Sequence, residues 1–267
     1  MKNRFNKLPG ALKIFLPLWM SIILSNQIMW AQGSAGSNAK IEPRYLIDLP
    51  TAGIIPHGNL ALDMDFYQSG GLLVGTSVGV FDRLLIGISY GGVNIIGNEK
   101  PKWNATPGFQ IKLRLLNETV IVPALALGFD SQGKEVYNKQ LSRYTIKSMG
   151  FYAVASKNYE AFGFLSFHGG VNYSVLERAD DDKDPNVFVG VEKTVGPIFS
   201  ILTEYNIGWN DSHNKALGKG RGYLNLGARV SVGKGFSIGF NLKDIFQNQR
   251  EITVGNRTMN LEYVKSP

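Results

Sequence analysis

The sequence predicts an all-β fold: an antiparallel transmembrane β-barrel of about twelve strands, with short periplasmic turns and long outer loops. Three observations predict it. From residue 58 on, apolar and polar residues alternate with period two, and no stretch of ten or more residues keeps a helical period. Several alternating stretches reach nine to eleven residues, longer than the five or six usual in soluble sheets. The connections between them alternate between tight and long.

Before the strands comes an address. Lys2, Arg4, Lys7 and Lys13 precede the apolar run 14–24, and small residues follow at Ala31, Gly33 and Ala35. A basic start, a short apolar core and small residues make residues 1–31 a secretory signal peptide. The apolar run is about half the ~20 residues that span a bilayer as a helix, and nothing later approaches that length. Residues 32–57 read as an extended segment, periplasmic or plugging a lumen, and residues 58–264 as the barrel. Without the leader the chain keeps 24 basic and 21 acidic residues, a net charge of +3 instead of +7. Scattered lysines of that balance give no basic face for nucleic acid. With no cysteine there is no disulfide framework, thiolate metal site or cysteine nucleophile.

Strands are expected near 58–67, 71–81, 84–94, 108–116, 120–130, 146–156, 161–174, 186–194, 198–209, 222–232, 236–244 and 252–264. In the fourth, Phe109, Ile111, Leu113 and Leu115 point one way and Gln110, Lys112 and Arg114 the other. The same alternation places Val74, Val78 and Val80, then Ile86, Ile88 and Tyr90, then Ile121, Leu125, Leu127 and Phe129, and later Phe236, Ile238, Phe240 and Leu242 on an outward apolar face. Aromatic residues near strand ends, among them Tyr67, Phe81, Tyr90, Phe129, Tyr159, Tyr173, Trp209, Tyr223 and Phe236, suit the two interfacial girdles of a membrane barrel. Tight connections fall at 81–84, 117–119, 157–160, 194–197 and 233–235. Long ones fall at 95–107, 131–145, 175–185, 210–221 and 245–251. A soluble sandwich or barrel also alternates, but its Greek-key crossings do not sort short and long connections so regularly.

The inward face then carries Asp63, Asp65, Lys112, Arg114, Glu192, Glu204, Arg229, Lys243 and Glu262. Four positive and five negative charges do not make a strongly anion- or cation-selective pore. Gly75, Ser77, Gly79, Gly87, Ser89, Gly91, Ala124 and Ala126 leave part of the wall nearly bare, which gives room for a narrow passage, a binding cavity or a berth for residues 41–57. Glu204 and Arg229 fall on adjacent strands nine and ten, where counting from the intervening loop allows a near-opposite or diagonal contact.

Chemical signatures are weak. Ser166 and His168 share a lumen-facing strand face, but nothing in the sequence supplies the third group that would orient the imidazole, so no catalytic residue is assigned. No pair of histidines has metal-ligand spacing. The run from Asp180 to Asp184 offers carboxylates, but it lacks the spaced ligands and central glycine of a calcium loop and reads as a solvated outer loop. No metal and no cofactor is assigned.

One resemblance stands out. The run 45–60 with its Pro50-Thr51-Ala52 turn, then Gly79-Val80-Phe81-Asp82-Arg83, then Ala126-Leu127-Gly128-Phe129-Asp130, resembles the opening of YjbH-like outer-membrane β-barrel proteins over residues 42–156. The resemblance implies a link to exopolysaccharide export without an assigned chemical activity. This chain is shorter than those relatives, lacks a lipoprotein cysteine and closes on Tyr263-Val-Lys-Ser-Pro267.

The functional expectation is a bacterial outer-membrane barrel, not an enzyme, acting as a narrow channel or as an accessory to surface polysaccharide export. A plugged structural barrel with partner-binding outer loops is the alternative, and a lipid-modifying outer-membrane enzyme the third. Expected partners are outer-membrane lipid and a surface polysaccharide or small solutes, with no nucleic acid. The sequence leaves the oligomeric state open.

Overall fold

Period-two alternation with one apolar face can be buried in lipid only if every backbone N–H and C=O is paired, which for strands requires a closed sheet. The computed structural model, which describes residues 34–39, 41–213, 215–250 and 256–265, has that closure. The expected signal peptide, residues 1–31, lies outside the described residues.

Twelve long strands follow in chain order: β1 (Leu60–Tyr67), β2 (Gly71–Val80), β3 (Leu84–Val93), β4 (Gly108–Leu116), β5 (Ala124–Asp130), β6 (Gly150–Glu160), β7 (Phe164–Tyr173), β8 (Asn186–Val195), β9 (Phe199–Asn206), β10 (Tyr223–Gly233), β11 (Phe236–Lys243) and β12 (Asn256–Lys265). Each pairs antiparallel with its chain neighbours. β12 returns to β1, from Leu60 opposite Lys265 to Phe66 opposite Met259, which leaves the barrel without an edge. Outer additions are a two-residue strand, Lys102–Trp103, on the end of β3, and a hairpin of Lys134–Asn138 with Arg143–Ile146 between β5 and β6.

The outward face is the apolar one. Leu62, Ile88, Leu113, Leu127, Phe167, Val189, Ile201, Leu226 and Phe240 are exposed around the circumference, as a lipid-facing band requires. Inward positions along the same strands are buried and mostly small or polar.

Some elements differ from expectation. β6 runs four residues later than expected, because Lys157 and Asn158, which look like turn residues, find strand-end partners. Asn158 donates to Glu118 and accepts from Ser166, and Lys157 pairs with Glu118 at 3.1 Å. The tight turn is instead Ala161–Gly163, with Phe162 and Gly163 at positive φ. β5 starts at Ala124, so Ile121 lies in the preceding turn, 88 % exposed, and is not on the lipid-facing wall. Tyr67 and Tyr223, read as girdle residues, point inward, where their hydroxyls donate to the Gly92 carbonyl and to Asp211.

Candidate functional site

Twelve strands enclose more space than inward side chains fill, since eight already make an interior that side chains can pack. Here the space is occupied by residues 41–57. The chain reaches the short-turn rim along the β8–β9 turn, where the Ser37 and Asn38 amides donate to the Gly196 and Pro197 carbonyls. It then enters the lumen, reverses at residues 46–49 and returns to the same rim, where the Gly58 amide donates to Gly79. An antiparallel bridge between Tyr45 and Pro50 and the Thr51 amide on the Arg44 carbonyl close the hairpin. Arg44, Leu46, Ile47, Asp48, Leu49, Thr51, Ala52, Ile54 and Ile55 are all buried.

An irregular segment inside a barrel has no ladder, so its amides and carbonyls need other partners. The inward charges supply them. The Glu204 carboxylate accepts from three successive amides at the tip, Ile47, Asp48 and Leu49, at 3.0–3.1 Å, and from Asn225 at 2.8 Å. Consecutive amides converging on one carboxylate form an anion nest. On the other side the Lys112 ammonium donates to the carbonyls of Arg44, Thr51 and Gly53 at 2.9, 3.0 and 3.1 Å. Arg114 donates to the Ala52 carbonyl and pairs with Glu42. Arg229 donates to the carbonyls of Tyr45 and Leu46 and to the Ser34 hydroxyl.

The charges of the segment itself are answered in turn. Arg44 lies between Asp63 at 2.5 Å and Glu262 at 2.6 Å. Asp48 meets Lys243 at 2.8 Å and, from the outer hairpin, Lys134 at 3.2 Å. Lys134 also donates to the Ile47 carbonyl and lies 3.9 Å from Asp65, and Lys243 reaches Glu135 of the same hairpin at 3.4 Å. The tip is thus held from the wall and from the outer mouth together. Burial alone would raise the Asp48 carboxyl, but Lys243 and Lys134 outweigh it and hold the group below the ordinary carboxylate range.

Of the nine charges read as inward from the sequence, eight contact residues 41–57 or the outer hairpin as just described. Glu192 faces the same lumen, fully buried beside Ser200 and Arg229. Glu204 and Arg229, however, do not meet. Glu204 is opposite Asn225, and Arg229 is opposite Ser200, four residues along the strand. The register that centres the loop between 214 and 215 sets them apart, and each holds a different part of the hairpin. Ser166 and His168 do not meet either: Ser166 donates to Asn158, and His168 Nδ1 pairs with Ser156 at 2.8 Å.

Bare wall positions fit the segment as well. A Cβ at Gly79 would lie 2.2 Å from the Ile55 carbonyl oxygen, and one at Gly190 would lie 2.2 Å from Leu46 Cδ1. Leu49 and Ala52 pack with Ala124, Ala126, Met149, Tyr152, Val154 and Phe188, and Leu46 and Ile47 with Leu202. Cavities of about 80, 30 and 10 Å³ remain beside the tip, room for a few waters at roughly 30 Å³ each. A wider space of about 930 Å³ opens at the short-turn rim.

The outer mouth has its own polar core, and the run 180–184 is solvated only in part: Asp180 and Asp182 are buried in that core, while Asp181, Lys183 and Asp184 are exposed. Arg143, fully buried, joins Asp180 at 2.7 Å and Asp211 at 2.5 Å, and Lys147 joins Asp180 at 2.7 Å. Asp182 accepts from the Ser212 and His213 amides. Its carboxyl lies below the ordinary range, because those amides and the His213 side chain outweigh burial. Periodicity contains no signal for this cluster, since its members come from three separate connections between barrel strands.

A family model described as exopolysaccharide biosynthesis protein YbjH, the YjbH family, matches residues 45–186. No curated protein matches the sequence. Among solved structures, a KdgM porin is similar at 10 % identity and TM-score 0.48, over 78 % of this chain and 99 % of that one. The same porin in complex with disordered oligogalacturonate gives 8 % and 0.46 over 78 % and 99 %. The translocator domain of autotransporter NalP from Neisseria meningitidis gives 11 % and 0.37 over 96 % and 97 %.

Proposed function

The chain belongs to the YjbH family of exopolysaccharide biosynthesis proteins, and from that premise we propose that it is a plugged outer-membrane barrel serving surface polysaccharide export, shut at rest and opened by displacement of residues 41–57. The observation that carries this reading is the set of wall charges spent on the backbone of one hairpin, above all Glu204 on three amides and Lys112 on three carbonyls. Ionic and hydrogen-bonded contacts of this kind can be exchanged for water when the hairpin leaves, and the vacated lumen would then be lined by balanced charge suited to a hydrated polymer. Burial of Leu46, Leu49 and Ile55, at about 1.5–3 kcal/mol for each side chain, keeps the hairpin seated until a partner or polymer draws it out.

A reversible lock tests this. The Ala52 amide lies 2.8 Å from Ser156 Oγ, and the chain has no cysteine of its own, so Ala52→Cys with Ser156→Cys would tether the hairpin to β6. Cells carrying the oxidised lock are expected to lose surface polysaccharide and to recover it on reduction. Undiminished output with the lock closed would contradict opening.

A further inference from the structure

The outer connections sort their charges. Between residues 207 and 250 the described carboxylates of these connections, Asp211 and Asp244, are buried. Asp211 serves Arg143, Tyr223 and the Leu217 amide, and Asp244 serves the amides of Asn248 and Gln249. The cations Lys215, Lys219, Arg221 and Arg250 of the same connections are all exposed. Lys215 is taken by Asp181. The backbones of Lys219 and Arg221 are pinned together, since both of their amides donate to Asn248 Oδ1, and both side chains are exposed.

Directly below them the wall is greasy. The Tyr205 hydroxyl donates to the Arg221 carbonyl, and its ring meets Phe246 edge-on at 6.2 Å. Lys219 Nζ donates to the carbonyl of Gln247, the next residue after Phe246. Phe246 is 48 % and Leu242 50 % exposed. Opposite Leu242 in the ladder, Arg257 occupies an outward, exposed position where lipid-facing strands carry apolar residues, a placement that is tolerated at an interface and is favoured by an anion there.

We propose that the rim above β9–β12 is a binding site for a phosphorylated glycolipid of the outer leaflet, with phosphate on Lys219 and Arg221 and acyl chains against Tyr205, Phe246 and Leu242. Cations stacked over an exposed aromatic and aliphatic wall fit an anionic head joined to hydrocarbon better than a free polymer, which has nothing to place on the wall.

The test uses the whole barrel in nanodiscs of phosphatidylcholine doped with bis-phosphorylated lipid A or with its dephosphorylated form, and reads bound glycolipid by native mass spectrometry. Assembly is checked by heat-modifiable gel mobility. Retention of the phosphorylated form is expected, falling about fivefold for each cation removed in Arg221→Gln and in Lys219→Gln with Arg221→Gln. Lys139→Gln with Lys183→Gln, on the loop tops, should leave it unchanged. Equal retention of both glycolipids, or indifference to the rim substitutions, would overturn the site. So would displacement of the lipid by inorganic phosphate or by polygalacturonate at equal phosphate or carboxylate concentration, the first indicating a free-phosphate site and the second a polymer site.

Discussion

Glu204 shows most clearly what a single residue does here. Its carboxylate is the shared acceptor of three amides that no strand could serve, and removing it leaves those donors buried without a partner, at about 1–3 kcal/mol each. Glu204→Ala should therefore loosen the hairpin far more than Glu204→Gln, which keeps one acceptor oxygen. A thiol at Ala52→Cys, fully buried in the seated state, reports this through its labelling rate. The same reporter tests Asp48. A carboxylate held below its unfolded value of about 3.9 contributes stability that is present above that value and lost as pH falls through the folded one. Labelling relative to that of a free thiol at the same pH should stay slow from pH 7 to about 4.5 and rise only below about pH 4, whereas Asp48→Asn should label fast at neutral pH because Lys134 and Lys243 lose the carboxylate that joins them to the tip. A wild-type labelling rate that climbs steadily between pH 7 and 5 would show that Asp48 does not hold the tip.

At the scale of elements, the strands and their two faces are legible because lipid on one side and polar lumen on the other impose strict alternation. Leu113→Arg and Ile238→Arg are expected to cost roughly 2–4 kcal/mol each if these side chains meet the hydrocarbon midplane, read as loss of folded barrel in urea titrations. Equal tolerance at both would mean that the outward face does not meet lipid. The inward charges are legible for the same reason, but their partners are not. Residues 41–57 have no periodicity, and their contacts lie as far off in sequence as Glu204, Arg229 and Glu262. Turn chemistry misleads where turn-like residues find partners, as Lys157 and Asn158 do in β6. The glycines are half a clue, because Gly79, which faces the hairpin backbone, already counts among the bare positions that leave room for residues 41–57, whereas Gly190, which faces the Leu46 side chain, does not. Gly190→Val should expel Leu46 and speed Ala52→Cys labelling while the barrel stays folded.

For the whole molecule, closure of the sheet and filling of the lumen are separate achievements. The barrel closes through backbone pairing from β1 to β12, and the filling depends on one hairpin that enters from the short-turn rim and meets Lys134 from the opposite mouth. Orientation follows from the loop sorting: cysteines at Asp181 should label on intact cells, and those at Asn117 and Lys234 only after the envelope is breached. The expected outer site at Asn214 lies outside the described residues. Labelling of Asn117 from outside would invert the barrel and place the hairpin's entrance on the cell surface. The central claim, that a removable hairpin fills a lumen otherwise wide enough to conduct, is tested most directly by single-channel recording in planar bilayers. The intact protein should be silent, and a chain lacking residues 41–57 should give discrete ohmic steps; steps of the same size from both, or silence from both once the shortened barrel is shown to be folded, would contradict it.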